Sequence, residues 1–567
     1  MDLECRARII SDEYAALIVE NDINLSTIIT QEDYCLVPID NSYSVLYTPI
    51  NQLPPNLIHI YGYQIFPNCF GLVDIPSLES SGITRVRSVP GFSLRGDGIL
   101  IGVIDTGIEY THNAFRNADG STRITSIWDQ TIQEGTPPED FLYGTEYSRE
   151  IINQALQSED PLSVVPSTDE DGHGTMVAGI AAGSVSEEND FSGVAPDVEL
   201  VVVKLRPARE FIKNHYGIPL QKICYDETDI LMALRYLNLI AANLNKPIAI
   251  CFSLGTFQGS HDDRDILSAY VSTMADQLGI AMVVASGNEG NRGHHYYGEI
   301  PVGSEYNTVE LNVGENEESF SMELWGFSPN TYSIDILSPS GEYIPRIPAR
   351  LQESREVRFI FEETIINIDY QIIEERTGDP MIFIRFLRPA PGIWRFRVYS
   401  APPTAQSFHI WLPIQDFLTS NTAFVTPNNN TTLTSPGNTT IPIVTTTYDD
   451  ATGSLFLNAG RGYTRMNNIS PAFAAPGVDL IVPSLNNTYS TATGSSLAAA
   501  HTTGVAAMFM EWALARGTLL TSLNIKNILI RGARRTPGVE YPNREWGYGI
   551  LDVYGAFESF RGDINNT

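Results

Sequence analysis

Apolar residues are arranged in two ways along this chain, and the arrangement changes with position. In some segments the apolar run is almost unbroken. Residues 99–104 end on Asp105, and residues 281–285 run into Ser286-Gly287-Asn288-Glu289-Gly290. Such runs predict parallel strands covered on both faces. Helical stretches rich in small residues follow two glycine-marked turns: 176–182 after Asp171-Gly172-His173-Gly174-Thr175, and 497–508 after Gly494-Ser495-Ser496. Between these blocks, over residues 299–420, polar and apolar positions alternate at 308–313, 332–337, 381–387 and 394–399. Turn signals such as Ser338-Pro339-Ser340-Gly341 and Pro389-Ala390-Pro391-Gly392 separate the strands. Regular short strands of period two predict a β-sandwich or jelly roll. Ahead of the first block, apolar runs at 14–19, 43–47 and 57–65 predict strands of a small N-terminal body.

The pattern divides the chain into residues 1–75, a first α/β part at 76–298, an all-β insert at 299–420, and a second α/β part at 421–567. The linker 419–440 is rich in Asn, Thr and Pro and has loop composition.

Three polar residues stand where these elements would let them project. Asp105 closes a buried strand, and open α/β sheets carry their working groups at the carboxyl ends of strands. His173 is bracketed by glycines at a helix entry. Ser496 lies at the start of a helix, where unpaired N–H groups and the positive end of the dipole favour a developing oxyanion. Acid, base and nucleophile in the order Asp, His, Ser form one of the arrangements of a serine-nucleophile triad. Asn288, in a turn after a strand, supplies an amide able to donate to the same oxyanion. Cys251-Phe252-Ser253-Leu254-Gly255 reads as a strand-to-loop segment able to pair with an extended peptide. His112 and His501 lie inside the motif regions and read as structural, since neither motif needs a second base.

These motifs, with Trp546-Gly547-Tyr548-Gly549-Ile550-Leu551-Asp552-Val553 in the tail, resemble the subtilases, the subtilisin-like serine proteases. The resemblance covers residues 95–291 and 435–560. It implies an α/β, subtilisin-like three-layer fold with a parallel sheet, and serine endopeptidase activity. Asp105, His173 and Ser496 would be the triad and Asn288 the oxyanion amide. Ser253, Leu254 and Gly255 would line the substrate strand, with Ser435, Pro436 and Gly437 in the wall of the primary specificity pocket. Ser495, Leu497 and Ala500 depart from the usual threonine, methionine and proline. None of them replaces a catalytic atom, and alanine suits a helix well.

By the same resemblance, residues 1–75 are a propeptide that templates folding and then occupies the site, with processing expected between Leu72 and Glu79. A parallel sheet with many non-local pairings folds slowly, and a template on one edge lowers that barrier. Asn288 and Ser496 are 208 positions apart, and the insert accounts for the excess over the simplest subtilases. The insert either braces the fold or shapes access to the cleft, and bracing is the preferred expectation. An internal β-sandwich with a propeptide of this length resembles a narrower group, the Csp-type germination proteases of clostridial spores. In that group the propeptide can stay bound after cleavage, and the target is the zymogen of a spore-cortex hydrolase. The alternatives are a general intracellular endopeptidase and a propeptide-blocked regulatory binding protein.

Composition narrows the picture. Thirty-five basic against 67 acidic residues give a net charge of −32, which argues against nucleic-acid binding. No apolar stretch is long enough to span a membrane. The N-terminus lacks the basic-then-apolar order of a secretory signal, so the expected location is intracellular or spore-associated. The Asn-x-Thr sequons at Asn430 and Asn438 then carry no glycosylation. Five cysteines read as reduced thiols and not a disulfide framework, with a single disulfide left open. No cofactor is called for. Calcium stays open, because no loop carries a spacing such as Asp-x-Asp-x-Asn-Gly while subtilase calcium sites use scattered ligands.

Overall fold

The structure, a computed structural model, describes residues 3–21, 34–53, 58, 62–72, 81–87, 93–350, 354–400, 406–419 and 421–560. The N-terminal body is a helix, Leu3–Ile10, with an antiparallel sheet of β1 (Tyr14–Glu20), β2 (Cys35–Pro38) and β3 (Tyr43–Pro49) in the order β1-β3-β2. The strand expected at 57–65 does not form in its described part. Gly62 to Ile65 turn, and Tyr63 and Ile65 are buried in a core shared with the insert, so burial there is met without a strand. Cys5 and Cys35 form a disulfide, Cα atoms 5.4 Å apart, where the helix and β2 pack in the same core as one face of the large sheet. Cys69, Cys224 and Cys251 are free and buried.

A strand β4 (Cys69–Leu72) leads towards the large sheet. That sheet uses β5 (Leu100–Asp105), β6 (Ile124–Asp129), β7 (Thr145–Ser148) and β8 (Glu199–Lys204). After a short β9 (Tyr225–Asp226) come β10 (Ile248–Phe252), β11 (Leu254–Gly255) and β12 (Ile280–Ala285). The parallel core runs Ile443–Asp449, β12, β10, β5, β8, β6. Antiparallel β7 closes one edge; on the other, Ile443–Asp449 pairs parallel with Phe473–Pro476 and antiparallel with Ser454–Leu455.

The unbroken aliphatic runs follow from two covered faces. Ile101, Val103, Ala249, Cys251, Ala281 and Val283 pack with helices His173–Ala182 and Ser495–Leu514. Their neighbours Leu100, Ile104, Ile250, Phe252, Met282 and Val284 pack with helices Glu227–Leu244 and Ile266–Ala275. Alternate residues of one strand thus feed two separate cores, giving helix, sheet and helix layers. A helix side chain lies close over Gly102: a methyl there would meet Leu237 Cδ1 at 2.7 Å.

The alternating region folds as two antiparallel sheets. One has six strands in the order His295–Ile300, Gln406–Trp411, Ser319–Trp325, Met381–Leu387, Ile365–Gln371, Ser354–Arg358. The other has five: Tyr343–Ile347, Tyr332–Leu337, Gly392–Ser400, Tyr306–Val313, Ala423–Phe424. Their inner faces share one core, with Phe386 edge-on to Trp394 and Phe396. The strands begin at His295 and end at Phe424, slightly outside the expected 299–420. Fully buried Arg465 ties this body to the α/β part. It binds Asp262 at 2.7 Å and the Ser260 carbonyl on one side, and Asp379 at 2.8 Å and the Gly326 carbonyl on the other.

Candidate active site

Folding brings Asp105, His173 and Ser496 together at the carboxyl end of the sheet. His173 Nδ1 donates to Asp105 Oδ1 at 2.7 Å, and His173 Nε2 lies 3.0 Å from Ser496 Oγ. All three side chains are buried. Asp105 Oδ1 also accepts from the Thr106 N–H at 2.8 Å, and Oδ2 accepts from Ser253 Oγ at 2.6 Å. Burial by itself would raise this carboxyl. The charge of His173 and the donors His173, Ser253 and Thr106 outweigh burial and hold it below the ordinary aspartate value.

The position of His173 depends on close backbone approach. Gly174 packs against the turn after β5, where a methyl would run into the Gly107 carbonyl and lie 3.1 Å from Asp105 Cβ. The Gly174 N–H donates to Thr106 Oγ1 at 2.9 Å. Asp169 gathers the turn: it accepts from Thr106 Oγ1, the Gly172 N–H, and both N–H and Oγ1 of Thr175, at 2.7–2.9 Å. Asp169 lies outside the motifs that carry the three candidate residues. Its signal was an acid preceding the helix entry, the pattern of a residue satisfying unpaired N–H groups.

Ser496 sits in the first turn of helix Ser495–Leu514, and its Oγ also lies 3.4 Å from the Ser253 carbonyl. Asn288 Oδ1 accepts from the Ser495 N–H at 3.2 Å, which leaves its NH₂ free to donate beside the nucleophile. Ser495 Oγ accepts from the Gly287 N–H at 3.1 Å. The serine in place of threonine thus keeps a hydroxyl that joins the two loops.

Leu254 and Gly255 form an edge pairing antiparallel with β4: Leu254 opposite Leu72 and Gly255 opposite Gly71. On its other side β4 pairs with β9, Phe70 opposite Tyr225. Ser435 exchanges backbone hydrogen bonds with Thr256, at 2.9 and 3.2 Å, which brings Ser435, Pro436 and Gly437 beside this edge. The Ser435 hydroxyl turns away, donating to Asp265 at 3.1 Å. The side chain of Thr434, not singled out in the sequence, stands between Gly255 and Gly287. His112 Nδ1 accepts from the Ala114 N–H at 3.0 Å, and its Nε2 reaches the Thr488 carbonyl at 3.0 Å. His501 is buried with its Nε2 2.6 Å from Ser81 Oγ, and burial pushes its imidazole down to about 3. Both rings are structural. Among the described residues no cluster of three or more His, Cys, Asp or Glu could hold a metal ion, and no helix is long and apolar enough to cross a membrane.

A parallel α/β sheet carrying a buried Asp-His-Ser relay at its carboxyl end has the form of a serine hydrolase. The profile of the subtilase family, Peptidase S8, matches residues 96–323 and 419–549. An intracellular serine protease of Paenibacillus polymyxa is 25% identical over 292 residues, which is 51% of this chain and 70% of that protein. A subtilisin of Bacillus sp. (strain TA39) is 28% identical over 240 residues, 42% of this chain and 44% of that protein. The structure of the Clostridium perfringens CspB protease superposes with a TM-score of 0.76 at 30% identity, covering 86% of this chain and 97% of that one. The chain belongs to the subtilase family and is a serine protease.

Proposed function

We propose that this subtilase is a self-processing endopeptidase that activates another protein by limited proteolysis, with Asp105, His173 and Ser496 as its triad. The observation that carries the proposal is the continuous hydrogen-bonded path from Asp105 through His173 to Ser496 Oγ. Ser496 Oγ attacks the peptide carbonyl while His173 Nε2 takes its proton. The oxyanion receives hydrogen bonds from the Asn288 amide and the backbone at the helix start. His173 then gives the proton to the leaving amine, and Asp105 stays ionised, holding the ring. Water repeats the sequence on the acyl-enzyme, releasing the acid and restoring the Ser496 hydroxyl.

The N-terminal region has the role of a propeptide in this proposal. Support comes from β4, which adds to the β11 edge as an extended peptide would. Phe70 is fully buried, its ring edge-on to Phe252. The expected processing interval, Leu72 to Glu79, lies beyond the described residues except for the end of β4. Several bonds favour retention after a cut. Arg206 and Arg209 both donate to the Ile9 carbonyl at the end of the first helix, at 2.9 and 3.0 Å. Tyr63 donates to Glu323 of the insert at 2.6 Å. The proposed target is the zymogen of a spore-cortex hydrolase, in keeping with the likeness to the clostridial CspB protease.

On a denaturing gel, wild-type protein should separate into a fragment of about 75 residues and a remainder, while Ser496→Ala stays full length. A wild type that stays full length sinks self-processing. The buried nucleophile also favours a second reading, a cleft kept blocked by its own N-terminal region. A processed protein that refuses fluorophosphonate labelling at Ser496, and leaves both the zymogen and casein uncut, would support that reading.

A further inference from the structure

Asn288 can serve an oxyanion only if the turn that carries it is held still. That turn follows β12 and lies between two bodies. On one side the α/β part binds its backbone. The Gly460 N–H donates to the Gly287 carbonyl, and the Gly290 N–H donates to the Asn458 carbonyl, both at 2.9 Å. On the other side the turn is gripped through one side chain, that of Glu289. Its carboxylate is buried and has two partners among the described residues. His294 Nδ1 donates to Oε2 at 2.7 Å, and the Gln415 N–H donates to Oε1 at 3.2 Å.

Both donors come from the insert. His294 leads into its first strand, His295–Ile300, and Gln415 follows the strand Gln406–Trp411. Those two strands pair, His295 opposite Trp411, and the Leu412 N–H donates to the His294 carbonyl at 2.9 Å. The grip on Glu289 is therefore rooted in the edge of the six-stranded sheet. His294 is 1% exposed, and its Nε2 has no hydrogen-bond partner among the described residues. A buried nitrogen without a partner is costly, and an apolar ring would fill the same space without that penalty. What the imidazole gains in exchange is its hydrogen bond to a carboxylate, that of Glu289.

We infer that Glu289 is a positioning residue for the oxyanion amide, and that the inserted β-body serves the chemistry by holding Glu289 through His294 and Gln415. Glu289 is the next residue in the chain after Asn288, so fixing one fixes the backbone of the other. The Ser495 N–H, by contrast, engages only the Asn288 side chain, at 3.2 Å. Loss of one oxyanion donor costs about a hundred- to a thousandfold in rate, and a displacement of about 1 Å costs about a hundredfold. The inference rests on the endopeptidase proposal above and goes beyond it by giving the insert a part in the reaction.

The test is a double-mutant cycle in the full chain, read by the rate of self-processing and by the rate of fluorophosphonate labelling at Ser496. Both reactions draw on the oxyanion donors. Glu289→Ala should slow both rates about a hundredfold, and His294→Phe should slow them in the same direction. Glu289→Gln should recover most of the loss, because its amide oxygen still accepts from the Gln415 N–H. In an Asn288→Ala background neither Glu289→Ala nor His294→Phe should slow the rates further, since the group they position is gone. A merely structural role would add its full cost there. If Glu289→Ala fails to fold, His294→Phe carries the cycle, because it keeps a buried ring in place. Wild-type rates in both variants overturn the inference, as does equal slowing with and without the Asn288 amide. A wild type that labels without processing leaves the cycle to be read by labelling alone. A wild type that neither labels nor processes removes the endopeptidase proposal itself, and this inference with it.

Discussion

At the scale of single residues, Ser253 does more than its motif suggested. The sequence placed it on the substrate strand, and its carbonyl does lie beside Ser496 Oγ, but its hydroxyl donates to Asp105 Oδ2. A hydrogen bond to a buried charge is worth about 1.5–3 kcal/mol. Ser253→Ala is therefore expected to slow self-processing about tenfold. It should also move acid unfolding to higher pH. Asp105 is held below the ordinary aspartate value, so its contribution to stability is complete above the unfolded value of about 3.9. That contribution is lost as pH falls through the lower folded value. Removing one donor lifts the folded value and brings the loss to higher pH. Thermal unfolding followed from pH 2 to 6 decides the matter, and an unmoved acid transition would assign Ser253 to substrate contact alone. The three candidate catalytic residues were legible because each stands at a junction, Asp105 at a strand end and His173 and Ser496 at glycine-marked helix starts. Asp169 was not, since its four donors are assembled only when the β5 turn and the His173 helix meet.

At the scale of elements, helix His173–Ala182 works only as a close-packed piece. Gly174 lets it rest against the backbone of the turn after β5, with no room for a methyl beside the Gly107 carbonyl. Gly174→Ala should keep the helix, which alanine favours, but push it off the turn and move His173. A displacement of about 1 Å at a reacting group costs about a hundredfold in rate. Processing should fall by that order while circular dichroism stays unchanged, and normal processing would show that the helix start can shift freely. The strands of the sheet were readable from their aliphatic runs, because a strand covered on both faces needs no polar side. The run at 57–65 misled for the same reason: apolar burial there is satisfied by a turn lodged between bodies, and hydrophobicity alone does not specify extended backbone.

At the scale of the whole molecule, buried carboxyls join the three bodies. Glu323 of the insert accepts from Tyr63 Oη at 2.6 Å, from Trp325 Nε1 at 3.0 Å and from the Gly259 N–H at 3.1 Å. Glu227 accepts from the Asn68 and Leu267 N–H groups at 2.7 and 3.1 Å. Burial raises Glu323 to about 7 and Glu227 to about 8. A folded value above the unfolded glutamate value of about 4.3 stabilises fully below that value and is lost as pH rises through the folded one. The N-terminal fragment should therefore be held more firmly at pH 5.5 than at pH 8.5. Gel filtration of processed protein at the two values measures this, and Glu323→Gln should flatten the difference. Equal retention of the fragment at both values would mean that these carboxyls do not control its hold.

The sequence by itself indicated the class of sheet, the three candidate catalytic residues, a candidate oxyanion amide and the position of the insert. All of these depend on local rules: apolar period, helix starts and glycine junctions read over a few neighbouring residues. Only tertiary structure decided what lies between the motifs. The Cys5–Cys35 link, the Arg465 anchor, the seating of β4 against β11 and the lodging of Thr434 between two glycines join residues far apart in sequence. No local pattern encodes such contacts, because they exist only once the layers have packed and their separate backbones have come within a side chain's reach.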